Sequence, residues 1–461
     1  MKKFRMGARR MVAPAVDAFA GELGFSKVWS VAWPIILGSA AQTILNVTDT
    51  AFLGHLGNVE LGAVAIAGIL YLTVIMFAFG FGIGTQIVVA RRMGEGKMRQ
   101  IGRVVTHGFL FQWIMLVAIF SVLVLWREQI LNFLVSSPAV HAAAMEFLGY
   151  RMWGLAFAHT NFGFRAFYVG IGQTRVISLT TVLMVVVNIV LDYGLIFGKL
   201  GLPEMGLSGA AVASVAAELS AMIGFIVYTT LKVDARRYRL FSFNVISFPL
   251  LKQLIVKALP VMLQQFMTTA IWLLFFVVLE RLGEQALAVS QIARSVMLLI
   301  LLPLMGFSSA TNTIVSYLMG SRRNGEVMGL LGRVSLYSAS FVAVLALLCV
   351  LFSKGVLSIY TDDASMMEMV KPILYVFVVS STLQAVAFTL LSGVTGTGHT
   401  LMAFLLEFGV LLVYLSYAWL VSQVPGVEVW QVWTADPVYN VLLIVVTLLF
   451  FRVADWKTIK V

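Results

Sequence analysis

Stretches of twenty or more residues with almost no charge recur from Trp29 to Phe451. That repetition constrains the chain more than any other feature, because about 20 consecutive apolar residues cross a bilayer as a helix. The runs are continuous rather than alternating, which excludes a membrane β-barrel. Only 11% of the 461 residues are charged and 60% are hydrophobic, against roughly 25% charged in a soluble domain. The reading is an all-α integral membrane protein. Twelve spans are expected, at about 29–53, 61–90, 104–126, 140–169, 176–197, 207–231, 251–279, 286–318, 330–352, 367–394, 401–421 and 438–451.

The connecting segments orient the spans. Basic residues gather before the first span (Lys2, Lys3, Arg5, Arg9, Arg10, Lys27) and between the second and third (Arg91, Arg92, Lys97, Arg99, Arg103). They recur between the sixth and seventh (Lys232, Arg236, Arg237, Arg239, Lys252), between the eighth and ninth (Arg322, Arg323, Arg333) and in the tail (Arg452, Lys457, Lys460). The intervening connections carry little: His55, Arg127 and Lys199. Such alternation places both termini of a multi-pass membrane protein in the cytoplasm. The net charge of +11 then reflects loops beside anionic lipid rather than nucleic-acid binding. The basic N-terminus lacks a short apolar region with a cleavage site, so no removable signal peptide is expected. Cys349 stands alone, which excludes a disulfide framework, and no cofactor or metal cluster is expected.

The chain also repeats itself. Pro34 and Pro260 lie 226 residues apart, and the same spacing relates Leu56-Gly57 to Leu282-Gly283, Gly80-Phe81 to Gly306-Phe307, and Met93-Gly94 to Met319-Gly320. Late in each half, Gly172-Gln173-Thr174 matches Gly398-His399-Thr400. Two six-helix halves of like orientation follow, related by a pseudo-two-fold axis along the membrane normal and enclosing a central cavity, as in alternating-access transporters. The expected organisation is an N-terminal segment (1–28), an N-lobe (29–231), a cytoplasmic linker (232–250), a C-lobe (251–452) and a tail (453–461).

Positions that break the repeat are candidates for function. Asp49 corresponds to Phe275 and Asn46 to Trp272. A charge in mid-bilayer costs roughly 2.5–3.5 kcal/mol on insertion scales, so it is rare and faces a partner or water. Gln42, Asn46 and Asp49 share one helix face, as do Asn188 and Asp192 in the fifth span. Brought together, they form a polar chamber for a proton or a sodium ion; the bland alternative is a set of interhelical hydrogen bonds. Pro34, fifteen residues before Asp49, is either a hinge or a static kink. Glu146, Arg151, Glu218 and Glu407 also lie in apolar spans, Arg151 and Glu146 as structural charges and Glu407 as a secondary candidate site. His107 and His159 read as hydrogen-bonded core residues.

The segment DTAFLGHLG, the GQT and GHT echoes, NIVLD in the fifth span and GAAVAS in the sixth resemble the multidrug and toxic compound extrusion (MATE) family, over essentially the whole chain. The resemblance implies twelve helices in two bundles and efflux of organic, often cationic compounds by proton or sodium antiport. In the prokaryotic DinF-type branch, a first-span aspartate, a fifth-span asparagine and aspartate and a sixth-span hydroxyl form an N-lobe cation site. Asp49, Asn188, Asp192 and Ser214 match those positions, and Pro34 matches the first-span proline. Another branch has acids in the seventh and tenth spans, where this chain has Gln264, Gln265 and Thr268, then Ser381, Thr382 and Gln384. The expected partners are drug-like substrates and membrane lipid, with the protein a monomer. The rivals are a lipid-linked precursor flippase, which needs several intramembrane cations where Arg151 is the main one, and an intramembrane enzyme, for which no motif such as HExxH is present.

Overall fold

The computed structural model describes residues 19, 21, 23–135, 137–240, 246–361 and 363–458. Much of the expected N-terminal segment, part of the linker and the end of the tail lie outside them. The described chain is helical throughout. In order, the helices are α1 (Phe25–Gly54), α2 (Asn58–Gly94), α3 (Met98–Leu134), α4 (Pro138–Arg151), α5 (Gly154–Gly170), α6 (Arg175–Phe197), α7 (Gly206–Lys232), the short α8 (Ala235–Tyr238) and α9 (Phe248–Glu280). They continue with α10 (Glu284–Ile300), α11 (Leu302–Gly320), α12 (Val327–Leu351), the short α13 (Ser353–Leu357), α14 (Ala364–Gly396), α15 (Thr400–Ser422), the short α16 (Val429–Val432) and α17 (Ala435–Val453).

Among the described residues, ten helices are long and apolar enough to cross a membrane, or eleven when α10 and α11, bent by 47°, count as one. The twelve expected spans differ from this tally at the fourth, which is two shorter helices, α4 and α5. At the break the backbone tightens: Trp153 N–H bonds the carbonyl of Tyr150 and Leu155 N–H that of Met152. Arg151 ends α4 there, bound to Glu218 on α7.

The chain forms two compact units. One is built on Leu37–Met262, the other on Gly21–Ile36 with Leu263–Val461. Their boundaries fall two residues after Pro34 and Pro260 respectively. The opening turns of α1 therefore pack with the second unit and those of α9 with the first. Glycine makes each packing possible. A Cβ at Gly80 would stand 2.7 Å from Met262 Cα, and one at Gly306 would stand 2.7 Å from the Ala32 carbonyl oxygen. Small residues let helix backbones approach this closely. The turn after α1 likewise needs Gly57 (φ 150°), as the turn after α9 needs Gly283 (φ 106°).

Within the first unit, Leu53, Ala67, Leu131, Phe147 and Ile196 pack a core joining α1 to α4 and α6. A smaller contact of Ala41, Leu45 and Val185 fixes the register of α1 against α6. In the second unit, aromatic rings gather on the fully buried Trp433, with Phe275 at 4.9 Å and Phe377 at 5.1 Å between centroids.

A paired-acid site in the first unit

The Ala41–Leu45–Val185 contact sets α1 and α6 side by side, and one or two turns further along each helix their acids meet. The carboxyls of Asp49 and Asp192 share one neighbour, Asn188. Asn188, fully buried, sits one turn before Asp192 on the same face. With its amide nitrogen toward the acids, it donates to Asp49 Oδ1 at 2.8 Å and to Asp192 Oδ2 at 3.1 Å. Asp192 Oδ1 is buried and has no hydrogen-bond partner among the described residues. Such an oxygen carries a desolvation cost that a proton or a small cation would relieve.

The other candidate residues lie outside this trio. Gln42 donates to Asn46 at 3.4 Å along the exposed side of α1, and no described hydrogen bond joins either to the acids. Ser214 is half-buried on α7 with no described bond to them. Pro34 lies inside α1, which remains one continuous helix.

Arg151 is neutralised. Its guanidinium makes a bidentate pair with Glu218, at 3.0 and 2.6 Å, and lies 3.7 Å from the centroid of the Tyr71 ring. Tyr71 donates to both Glu218 oxygens, at 3.0 and 3.1 Å. Glu146 accepts from the Ser208 hydroxyl. His107 accepts from Ser247 N–H through Nε2 and approaches the Arg103 carbonyl through Nδ1, while His159 Nδ1 bonds the Leu155 carbonyl.

The second unit has a carboxylate of its own. Glu407 is buried and accepts from Gln264 Nε2, from Thr268 Oγ1 at 3.2 Å and from Tyr439 OH at 3.2 Å. Asp436 is buried on α17. Sequence reasoning overlooks Asp436 because it lies just before the apolar run that marks the last span. It overlooks two cations as well. Arg165 on α5 lies over the Phe79 ring at 5.7 Å and Arg294 on α10 over Phe276 at 5.3 Å, so Arg151 is one of several cations within the spans. Among the described residues no group of three His, Cys, Asp or Glu could hold a metal ion.

Comparison with known proteins fixes the family. The MatE family model matches residues 34–194 and again 260–420, most of the chain, at the same 226-residue spacing. The chain belongs to the MatE family. It is accordingly a membrane transporter and not an enzyme. Curated MatE relatives include the probable multidrug resistance protein NorM of Thermotoga maritima, 26% identical over 82% of this chain and 81% of that protein. Another is the probable NorM of Rhizobium meliloti, 27% identical over 79% of this chain and 80% of that protein. Among solved structures, an outward-facing multidrug resistance MATE transporter of the MOP superfamily superimposes with a TM-score of 0.90 at 20% identity, covering 98% of this chain and 100% of that one. A MOP superfamily transporter from Pyrococcus furiosus, described as having a binding pocket of reversed polarity, gives 0.89 over 98% and 100%. These likenesses establish the all-α, two-half MATE fold.

Proposed function

We propose that this MatE transporter exports organic, often cationic compounds across the bacterial inner membrane, both termini cytoplasmic, by exchanging them for protons at Asp49 and Asp192. The observation that carries the proposal is the Asp49–Asn188–Asp192 cluster, two acids bridged by one amide with one unpartnered buried carboxylate oxygen. In the cycle, an external proton neutralises the pair and cargo leaves outward; the inward-facing state then gives the proton to the cytoplasm. Asn188 orients the carboxyls in both states, Pro34 is the hinge, and Ser214, Asn46 and Gln42 extend the site if α1 bends. Sodium uses the same oxygens in the alternative coupling. The proposed site is the one the resemblance to the DinF-type branch implies, while curated relatives carry NorM names. The functional halves are residues 29–231 and 251–452, and the working unit is a monomer.

The test is efflux of a fluorescent organic cation from liposomes holding the purified protein, under an imposed proton or sodium gradient. Proton-driven efflux in the wild type that vanishes in Asp49→Asn supports the proposal. Sodium-driven efflux with the same loss keeps the site and changes the ion. Coupling that survives Asp49→Asn sinks it.

A second reading, a lipid-precursor flippase, draws on Arg165 and Arg294. Both are stacked on phenylalanine rings, and Arg151 is already paired. Transfer of a fluorescent lipid pyrophosphate between leaflets, with no efflux of cations, would favour it.

A further inference from the structure

The first unit carries a cationic recess next to an apolar groove, both remote from the acids. Lys97, Arg99, Arg236 and Arg237 line a recess of about 670 Å³ where α3 begins and α8 lies across it. This meeting is fixed by the fold. A Cβ at Gly102 of α3 would strike the carbonyl oxygens of Tyr238 and Arg239, so glycine lets α8 lie directly on the helix. Tyr238 is buried edge-on against Phe167, and Asp234 caps α8 by accepting from the backbone of Arg236 and Arg237. Glu95 is already shared between Arg92 at 2.7 Å and Lys97 at 2.8 Å. Among the described residues Arg99, Arg236 and Arg237 have no carboxylate partner. The α3 N-terminus also lacks a side-chain cap. Holding three such cations together is unfavourable until an anion joins them.

Two turns along α3, on the face that carries Arg99, a groove of about 640 Å³ opens between α3 and α7. Both helices pack on α5, whose Thr160 and Phe164 form its floor, and they make little contact with each other. Leu110, Trp113 and Ile226 line its walls. Four of its polar groups are satisfied within the protein: His107 by Ser247, Thr229 by Tyr168, Thr160 by the Ala156 carbonyl and Thr230 by the Val227 carbonyl. The groove therefore offers mainly apolar surface, with few hydrogen-bonding groups for a polar guest. From Arg99 to Trp113 the helix rises about 21 Å. One leaflet, a headgroup layer of about 6 Å and half of a hydrocarbon core about 30 Å thick, has the same depth.

We infer that this recess and groove together bind one anionic phospholipid, its phosphate on Arg99, Arg236 and Arg237 and an acyl chain along Leu110, Trp113 and Ile226. Charge complementarity and matching depth select this occupant over a soluble anion or a neutral lipid. The inference is independent of the coupling site, and Asp49→Asn leaves it unchanged.

Trp113 supplies the reporter. The full chain is placed in phosphatidylcholine vesicles containing brominated phosphatidylglycerol or, separately, brominated phosphatidylcholine, and tryptophan quenching is compared with that of Trp113→Phe. The Trp113 component should be quenched preferentially by the brominated phosphatidylglycerol. In Arg99→Gln/Arg236→Gln that preference should fall at least about fivefold, the factor one basic residue contributes at a membrane surface. Arg99→Lys/Arg236→Lys, which keeps the charge, should retain most of it and exclude misfolding as the cause. Equal quenching by the two lipids, a preference that survives removal of both arginines, or displacement by soluble glycerol phosphate would each overturn the inference.

Discussion

The repeat places Asp49, Asn188 and Asp192 of the first unit opposite Phe275, Tyr414 and Ala418 of the second. In both units the equivalent helices touch at these positions. In the first, an amide bridges two acids. In the second, the Phe275 and Tyr414 rings lie tilted with centroids 5.3 Å apart, Phe275 lies against Trp433, and Ala418 is buried. The reverse holds three turns earlier on the leading helix. Gln264 bonds Glu407 in the second unit, whereas the equivalent Gly38 and Thr181 of the first make ordinary contact, a Cβ on Gly38 lying 3.5 Å from Thr181 Oγ1. One backbone geometry thus supports a polar site at either of two depths, and side-chain identity alone decides which depth is filled in each half. The two carboxylate sites also differ in satisfaction. Glu407 accepts from three donors, while Asp192 keeps an unpartnered oxygen. A satisfied carboxylate holds helices together, and an unsatisfied one is free to exchange a cation.

The largest effect that would break this contrast is on transport. Asp49→Asn and Asp192→Asn should each reduce gradient-driven efflux to the level of protein-free liposomes while leaving folding intact; retained coupling in both would move the coupling role to Glu407. Next is stability around the acid pair. Arg151→Met should leave Glu218 buried without its cation and cost about 3–5 kcal/mol, read as a lower thermal midpoint in detergent. Adding Glu218→Leu should recover most of that loss, and failure to recover would assign the cost to packing rather than charge. Third, Glu407→Leu strands Gln264, Thr268 and Tyr439 and should cost roughly 1–3 kcal/mol, with the ratio of protons to cargo unchanged. A changed ratio would make the second unit part of the coupling machinery and erase the contrast. The smallest is Ser214→Ala, which should alter stability by under about 0.5 kcal/mol and leave efflux intact; a clear loss of efflux would draw α7 into the site.

Legibility follows from how locally each feature is determined. Asp49 and Asp192 stand out in the sequence because a carboxylate amid apolar residues is costly whatever surrounds it. Asn188 is legible through its four-residue spacing from Asp192. The role of Gln264 is not, because its partner Glu407 lies 143 residues away. Glu218 and Arg151 read as separate charges until α4 and α7 bring them together, and the break after Arg151 has no proline to announce it. Asp436 escapes notice because hydropathy marks where an apolar run begins, not where a helix does.

The sequence by itself determined the membrane setting, the two-fold repeat, the family and the two acids, since these depend on hydropathy, spacing and composition along one dimension. Only the tertiary structure decided which polar groups meet, where the fourth span breaks and that the opening turns of α1 and α9 pack with the opposite half's unit. Those outcomes are set by close approach between segments distant in the chain, such as Gly80 to Met262 and Gly306 to Ala32. The missing Cβ is local information, but what fills the space is not.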